Sequence, residues 1–214
     1  QMTSTLMLAI AWTWAMPDAL GAEVVIAERE AKLVRLRTLA QDRRWGDIVQ
    51  QFAQDDFAAW PAENTRQASE ALTQRGLAYS FLKEGQHAAA DLHAATKLDP
   101  KNALAWMTLG DNNANNLNDE QQALAAYRQS LAVTGTTNGW QPLSTTLSIV
   151  RILTDQVKTD EALAALRPYD DLQSVAPYWR IRLLRAYGHV YAAQGKEQES
   201  LAKFREALQL ESQP

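Results

Sequence analysis

The chain has 214 residues, of which 46% are hydrophobic and none is cysteine, so it can bury a sizeable core but forms no disulfide. Its formal net charge of −4 argues against nonspecific binding to nucleic acid, which requires a basic surface. Strong helix formers are abundant and β-branched runs are scarce, which favours an all-α fold.

Residues 1–22 form an apolar N-terminal segment whose centre runs from Leu6 to Met16. The segment resembles a secretory signal, but it lacks the charged residues that precede the apolar run in such signals. The run is also shorter than the about 20 residues that a membrane-spanning helix needs, so no stable membrane span is predicted. We expect an ordered segment that packs on the first helices, with a retained signal sequence as the alternative. Localisation stays open between the cytoplasm and a bacterial envelope.

Residues 23–61 are predicted to form a divergent helix pair that ends at Trp60. Ile48 and Phe52, four residues apart, mark its second helix. A stripe of leucines marks its first helix: Leu33, Leu36 and Leu39.

Region 62–214 contains internal repeats. The spacing W-x2-L-G occurs at Trp106, Leu109 and Gly110, and the glycine of an earlier block, Gly76, lies 34 residues before Gly110. A last block repeats the pattern around Gly188. The four predicted units are residues 69–102, 103–137, 143–171 and 178–211.

These motifs resemble the tetratricopeptide repeat (TPR), a 34-residue pair of antiparallel helices with the patterns W-x2-L-G-x2-Y and A-x3-F. The resemblance implies an all-α fold, an α-solenoid of about ten helices in TPR-like antiparallel pairs. The interval from Ala123 to Ala162 is 39 residues rather than 34, so the later units are expected to be irregular. Their extra length is expected in the loops at 134–142 and 168–177.

Common catalytic and nucleotide-binding motifs such as H-E-x-x-H, G-x-S-x-G and G-x-x-x-x-G-K are missing from the sequence, so we predict neither an enzyme nor a cofactor. The stretch GDNNANNLNDEQQA, residues 110–123, resembles the start of a calcium-binding loop. Its twelfth ligand position is Gln122 rather than the required Glu, however. The repeat spacing places Asn118 or Asp119 at the start of a second helix. We therefore predict a turn there and no metal site.

The TPR resemblance implies that the first helix of each pair lines a groove that binds a protein or peptide. On that face, Arg182, Arg185 and His189 are spaced i, i+3 and i+7, and the repeat pattern adds Arg151. Arginine binds carboxylates bidentately, so an acidic ligand is predicted. Asp111 is expected to be exposed on the same side with the opposite charge.

Each of these predictions has an alternative. The arginines could belong to a solvated face that pairs with Asp155, Asp170 or Asp171. Trp140 and Trp179 are predicted in the long loops, where burial is favoured over exposure. The predicted function is a non-catalytic protein-binding scaffold. The alternatives are an accessory or oligomerisation domain cut from a larger bacterial protein, whose other part could be an enzyme, and a homo-oligomer formed through the N-terminal tryptophans.

Overall fold

The computed structural model describes residues 23–136 and 139–212. Within these ranges the chain is built from helices and short turns, without a β-strand. The N-terminal segment 1–22, with its tryptophans, lies outside the described residues. The helices are α1 (23–41), α2 (Trp45–Phe52), α3 (Thr65–Phe81), α4 (Gly85–Leu98), α5 (Ala103–Asn115), α6 (Glu120–Thr134), α7 (Trp140–Asp155), α8 (Thr159–Leu166), α9 (Pro177–Ala193) and α10 (Glu197–Glu211).

The helices form consecutive antiparallel hairpins, from α1–α2 to α9–α10. The second helix of each hairpin contacts the first helix of the next, as α4 contacts α5 and α8 contacts α9. From α3 onward, the first helices also contact one another, as α7 contacts α9. The hairpins therefore stack in one direction, and their first helices line a common side.

Each hairpin turn in the described ranges contains one residue with a left-handed backbone: Arg43, Lys83, Asn118, Val157 and Gly195, with φ between 55° and 72°. Most of these turns are closed by a backbone hydrogen bond to the carbonyl five residues earlier, such as that from the Lys196 N–H to the Tyr191 carbonyl at 2.9 Å. In the α5–α6 turn, the Asp119 N–H instead reaches the Asn113 carbonyl at 2.8 Å, one residue further back. The residue in excess of the repeat length lies in this turn.

Three hairpins pack closely because a glycine of the first helix faces a large side chain of the second. A Cβ added to Gly110 would lie 2.5 Å from the ring of Tyr127, and one added to Gly188 would lie 2.8 Å from Phe204. Gly76 has the same relation to Leu92. In α7 the corresponding residue is Val150, which is buried. The α7–α8 hairpin therefore departs from the pattern of its neighbours.

The α7–α8 hairpin is also the irregular part of the stack. Helix α8 has only 8 residues and is followed by 3-10 turns at Arg167–Tyr169 and Leu172–Ser174. The buried side chains of Tyr169 and Val175 fill the space beside α9, in the same core cluster as Leu183. This longer connection sets how α9 lies against α7.

The stretch 110–123 joins two hairpins through its asparagines. The Asn112 side chain donates to the Gly85 carbonyl at 2.9 Å, and Asn116 donates to the Ser80 carbonyl at 3.0 Å. Asp119 caps α6 by accepting from the Gln122 N–H at 2.9 Å, which confirms the predicted helix start. These polar side chains act as helix caps and as bonds between hairpins.

Arg75, in α3, is the most completely bonded arginine of the structure. Its Nε and Nη2 donate to both carboxylate oxygens of Asp91 at 2.7 Å, and its Nη1 donates to the carbonyls of Phe52 and Asp55 at 2.7 Å. Both side chains are buried. Arg75 therefore fixes α3 to α4 and to the end of the preceding hairpin.

Candidate functional site

A cleft of about 470 Å³ lies between the first helices α7 and α9. Its lining combines three arginines and a histidine with a small apolar floor. From α7 come Leu147, Val150, Arg151, Thr154 and Asp155, and from α9 come Arg182, Arg185, Ala186 and His189.

The helical period explains why the cationic side chains of α9 face the cleft. Leu183, Leu184 and Tyr187 are buried in the core. Arg182, Arg185 and His189 occupy the opposite, exposed side at a spacing of three and four residues. Arg151 of α7 lies between the buried Val150 and Ile152 and is also exposed. The structure thus brings together four of the five residues predicted from the sequence.

Two of the arginines have acidic neighbours. Arg151 lies 3.5 Å from Asp155, and Arg185 lies 2.7 Å from Glu211 of α10. Asp155 is one of the three partners that the solvated-face alternative predicted for the arginines. The other two have different contacts: Asp170 accepts a hydrogen bond from Tyr187, and Asp171 caps a 3-10 turn. About half of each arginine side chain is exposed, so these ion pairs hold the arginines weakly.

Arg182 is bound by aromatic rings instead of a carboxylate. Its guanidinium lies 5.1 Å from the Trp179 ring centre and 5.8 Å from that of Tyr178, within the range of cation–π attraction. Its Nη1 also approaches the Tyr178 hydroxyl at 3.4 Å. Among the described residues, no carboxylate lies within ion-pair distance of Arg182. Its remaining N–H donors are available to a ligand.

His189 is the last residue of α9 that lines the cleft. Its ring contacts Phe204 of α10 edge-to-face at 5.1 Å between centres. Leu147, Val150 and Ala186 provide the apolar part of the lining. The arrangement suits a ligand with a carboxylate beside a small apolar group.

Asp111 does not line this cleft, and the expectation that it is exposed was wrong. It is half-buried and accepts a hydrogen bond from the Tyr127 hydroxyl at 2.6 Å. Burial raises the pKa of Asp111, while the Tyr127 hydrogen bond and the positive charge of Arg151 partly offset this. Its charge therefore acts on Arg151 from the neighbouring hairpin.

The tryptophan predictions need correction. Trp140 is the first residue of α7 rather than part of a loop, and 55% of it is exposed. Trp179 lies in the first turn of α9, where it packs against the core cluster and supports Arg182. Residues 134–139, which precede Trp140, are polar or small and offer it no apolar partner on that side.

A metal site and a membrane span each require a particular arrangement of residues. In residues 23–136 and 139–212, no three His, Asp or Glu side chains come close enough together to bind a metal ion. Nor does any helix of that part of the chain combine the length and apolarity needed to cross a bilayer.

Comparison with known proteins adds the architecture. No family model matches the chain, and no curated protein does. A crystal structure of MamA is 18% identical, with 79% of this chain and 85% of that chain covered and a TM-score of 0.57. The chain is a TPR-like α-solenoid. A second structure, MamA AMB-1, is 16% identical at a TM-score of 0.65, covering 86% of this solenoid and 96% of that chain.

A third similar structure is a putative kinesin light chain from Podosopora anserina with nearly identical TPR-like repeats. It is 14% identical to the solenoid, covers 86% of this chain and 94% of that chain, and has a TM-score of 0.65. The predictions of a TPR-like repeat and of an all-α solenoid are thus confirmed. At these identities the likeness shows the fold alone.

Sequence reasoning missed the residues that contact the cleft arginines and the apolar residues of the lining. Glu211, the partner of Arg185, lies 26 residues further along the chain and is reached only through the α9–α10 hairpin. Tyr178 could have been found, because it lies four residues before Arg182 on one helix. The apolar floor needs α7 and α9 side by side, which no local pattern gives.

Proposed function

We propose that the solenoid is a protein-binding scaffold whose cleft between α7 and α9 takes an acidic segment of a partner protein. The observation that carries the proposal is the cluster of Arg151, Arg182 and Arg185 around one cleft. Guanidinium groups bind carboxylates with paired hydrogen bonds, which gives both affinity and orientation.

The state of each arginine supports a division of roles. Arg182 is held by Trp179 and Tyr178 with donors to spare, so it is oriented before the ligand arrives. Arg151 and Arg185 have exposed ion pairs that a ligand carboxylate can replace at low cost. The apolar floor at Leu147, Val150 and Ala186 would take a neighbouring aliphatic side chain.

The acidic groups near the cleft lie on its α7 side. Asp155 of α7 lines the cleft and Asp111 of α5 lies near Arg151 outside it, whereas the lining residues of α9 include no carboxylate. An acidic segment would therefore place its carboxylates near Arg182 and Arg185, away from Asp111. This charge difference would fix the direction in which the segment lies.

A peptide titration tests the proposal. A fluorescent peptide that alternates glutamate with leucine would be titrated with the wild-type chain and with an Arg182→Ala/Arg185→Ala variant. We expect the variant to bind about tenfold more weakly or worse, because charge-assisted hydrogen bonds contribute about 1.5–3 kcal/mol each. Added salt should weaken wild-type binding further.

Two controls separate a specific site from general attraction. Arg128→Ala removes one positive charge from the exposed face of α6, outside the cleft, and should leave the affinity unchanged. A peptide with glutamine in place of glutamate should not bind. Equal affinity of wild type and the double variant would remove these arginines from the site.

A further inference from the structure

Within the described residues, the first helix α1 and the last helix α10 expose faces whose equivalents in the inner hairpins are covered. Equivalent residues of the hairpins lie at the same distance from the left-handed residue of each turn. Helix α10 is equivalent to the other second helices, and α1 to the other first helices.

At the C-terminal end, the outer face of α10 consists of Leu201 and Leu208, six and thirteen residues after Gly195. They are 45% and 65% exposed. The equivalent residues of inner hairpins are covered: Ala89 and Thr96 of α4 are buried, Leu124 of α6 is buried, and Leu131 of α6 and Leu163 of α8 are half-buried.

At the N-terminal end, the outer face of α1 consists of Ala31, Arg35 and Thr38, all of which are exposed. They lie twelve, eight and five residues before Arg43. The equivalents in α3, α7 and α9, and those in α5 after allowance for its longer turn, are all buried: Ala71, Arg75, Ala78, Ala105, Leu109, Asn112, Thr145, Ile149, Ile152, Leu183, Tyr187 and Val190.

Arg35 makes the likeness of α1 to an inner helix specific. Its Nε donates to Gln51 at 3.2 Å, and Gln51 occupies the position that Asp91 has in the next hairpin. The pair Arg35–Gln51 is therefore the counterpart of the pair Arg75–Asp91. Arg75 also bonds the Phe52 carbonyl, at the place where α3 packs on the preceding hairpin. Helix α1 thus has the side chains of a helix that packs on a preceding hairpin.

The charges of the two ends also complement each other. Helix α10 carries four glutamates and two basic residues, whereas α1 carries four basic residues and three glutamates. We propose that copies of this chain associate end to end, with the outer face of α1 of one copy packed on the outer face of α10 of the next. Such a heterologous contact does not close after two copies, so it extends into longer assemblies.

Sedimentation velocity on the 214-residue chain tests this directly. The wild-type sedimentation coefficient should rise with concentration beyond that of a dimer. Leu201→Glu/Leu208→Glu should weaken association about tenfold or more, and Ala31→Glu/Thr38→Glu should do the same from the other end. All four side chains are exposed, so both variants should keep the wild-type circular dichroism. Val133→Glu places one glutamate at an exposed residue of α6, away from both faces, and this control should associate like wild type.

Mixing the two variants gives the decisive result. Each variant keeps one intact end, so an equimolar mixture should form a dimer and stop there, although neither variant associates alone. A wild-type chain that stays monomeric over a wide range of concentrations would overturn the proposal. Association of either variant alone, or a mixture that stays monomeric while wild type associates, would also overturn it.

Discussion

Arg75 of α3 and the arginines that line the α7–α9 cleft are in opposite situations. Arg75 is 8% exposed and uses its donors on Asp91 and on two carbonyls of the preceding hairpin. Arg182 is exposed, rests on two aromatic rings and has no acidic partner among the described residues. Both lie on first helices of the same solenoid.

The difference shows what separates a structural cation from a candidate binding cation. The close packing of α3 on α4 at Gly76 brings Asp91 to the Arg75 guanidinium. The end of α2 and the chain after it supply two carbonyl acceptors, those of Phe52 and Asp55. Between α7 and α9, Val150 replaces the glycine and a longer connection precedes α9, and an open cleft lies between the two helices. Arg182 keeps N–H donors without an acidic partner because this irregular packing leaves the cleft open beside it.

The largest effect should come from breaking the buried pair. Arg75→Ala leaves Asp91 charged and buried without its partner, and we expect a loss of about 3–5 kcal/mol in the free energy of unfolding. Urea denaturation measures it. Arg182→Ala is the matched control from the cleft and should cost less than about 1 kcal/mol, because its side chain is solvated. Similar losses for the two variants would contradict the distinction between them.

An intermediate effect should come from disturbing the close contact between a glycine and a large side chain within a hairpin, a contact that the α7–α8 hairpin lacks. Gly110→Ala places a Cβ against the Tyr127 ring and should destabilise the fold by about 1–3 kcal/mol, as overpacking does. Thermal and urea unfolding would both report it. Gly46→Ala, where nothing lies within 4 Å, should instead be neutral or stabilise by up to about 1 kcal/mol. A neutral Gly110→Ala would show that these helices can move apart freely.

The smallest effect concerns the carboxyl group beside the cleft. Because burial raises the pKa of Asp111, folding favours its protonated form. Its contribution to stability is therefore fully present below the ordinary aspartate pKa and is lost as the pH rises through the raised value. Asp111→Asn should remove this loss, so the stability of the variant relative to wild type should increase from acidic to neutral pH.

Tyr127→Phe gives the matching control for this pH dependence. The hydroxyl of Tyr127 donates to Asp111 and lowers its pKa, so removing the hydroxyl should extend the pH-dependent loss to higher pH. Urea denaturation at a series of pH values measures both variants. Parallel pH profiles for wild type and Asp111→Asn would show that Asp111 has no raised pKa.

The candidate site was partly predictable because helix geometry is local. The spacing of Arg182, Arg185 and His189 places them on one face of any helix, and the repeat pattern added Arg151 to the same side. Exposure was not predictable in the same way. Asp111 is covered by Tyr127 of its own hairpin, and Arg185 meets Glu211 of α10, so both depend on packing between helices.

The sequence by itself determined the helical class, the repeat and the hairpin contacts at Gly76, Gly110 and Gly188, because these depend on residues within one or two hairpins. Only the tertiary structure decided that α7 and α9 enclose a cleft, that Trp140 is exposed and that the outer faces of α1 and α10 are uncovered among the described residues. Those features depend on how irregular hairpins stack, and stacking is set by side chains far apart in the chain.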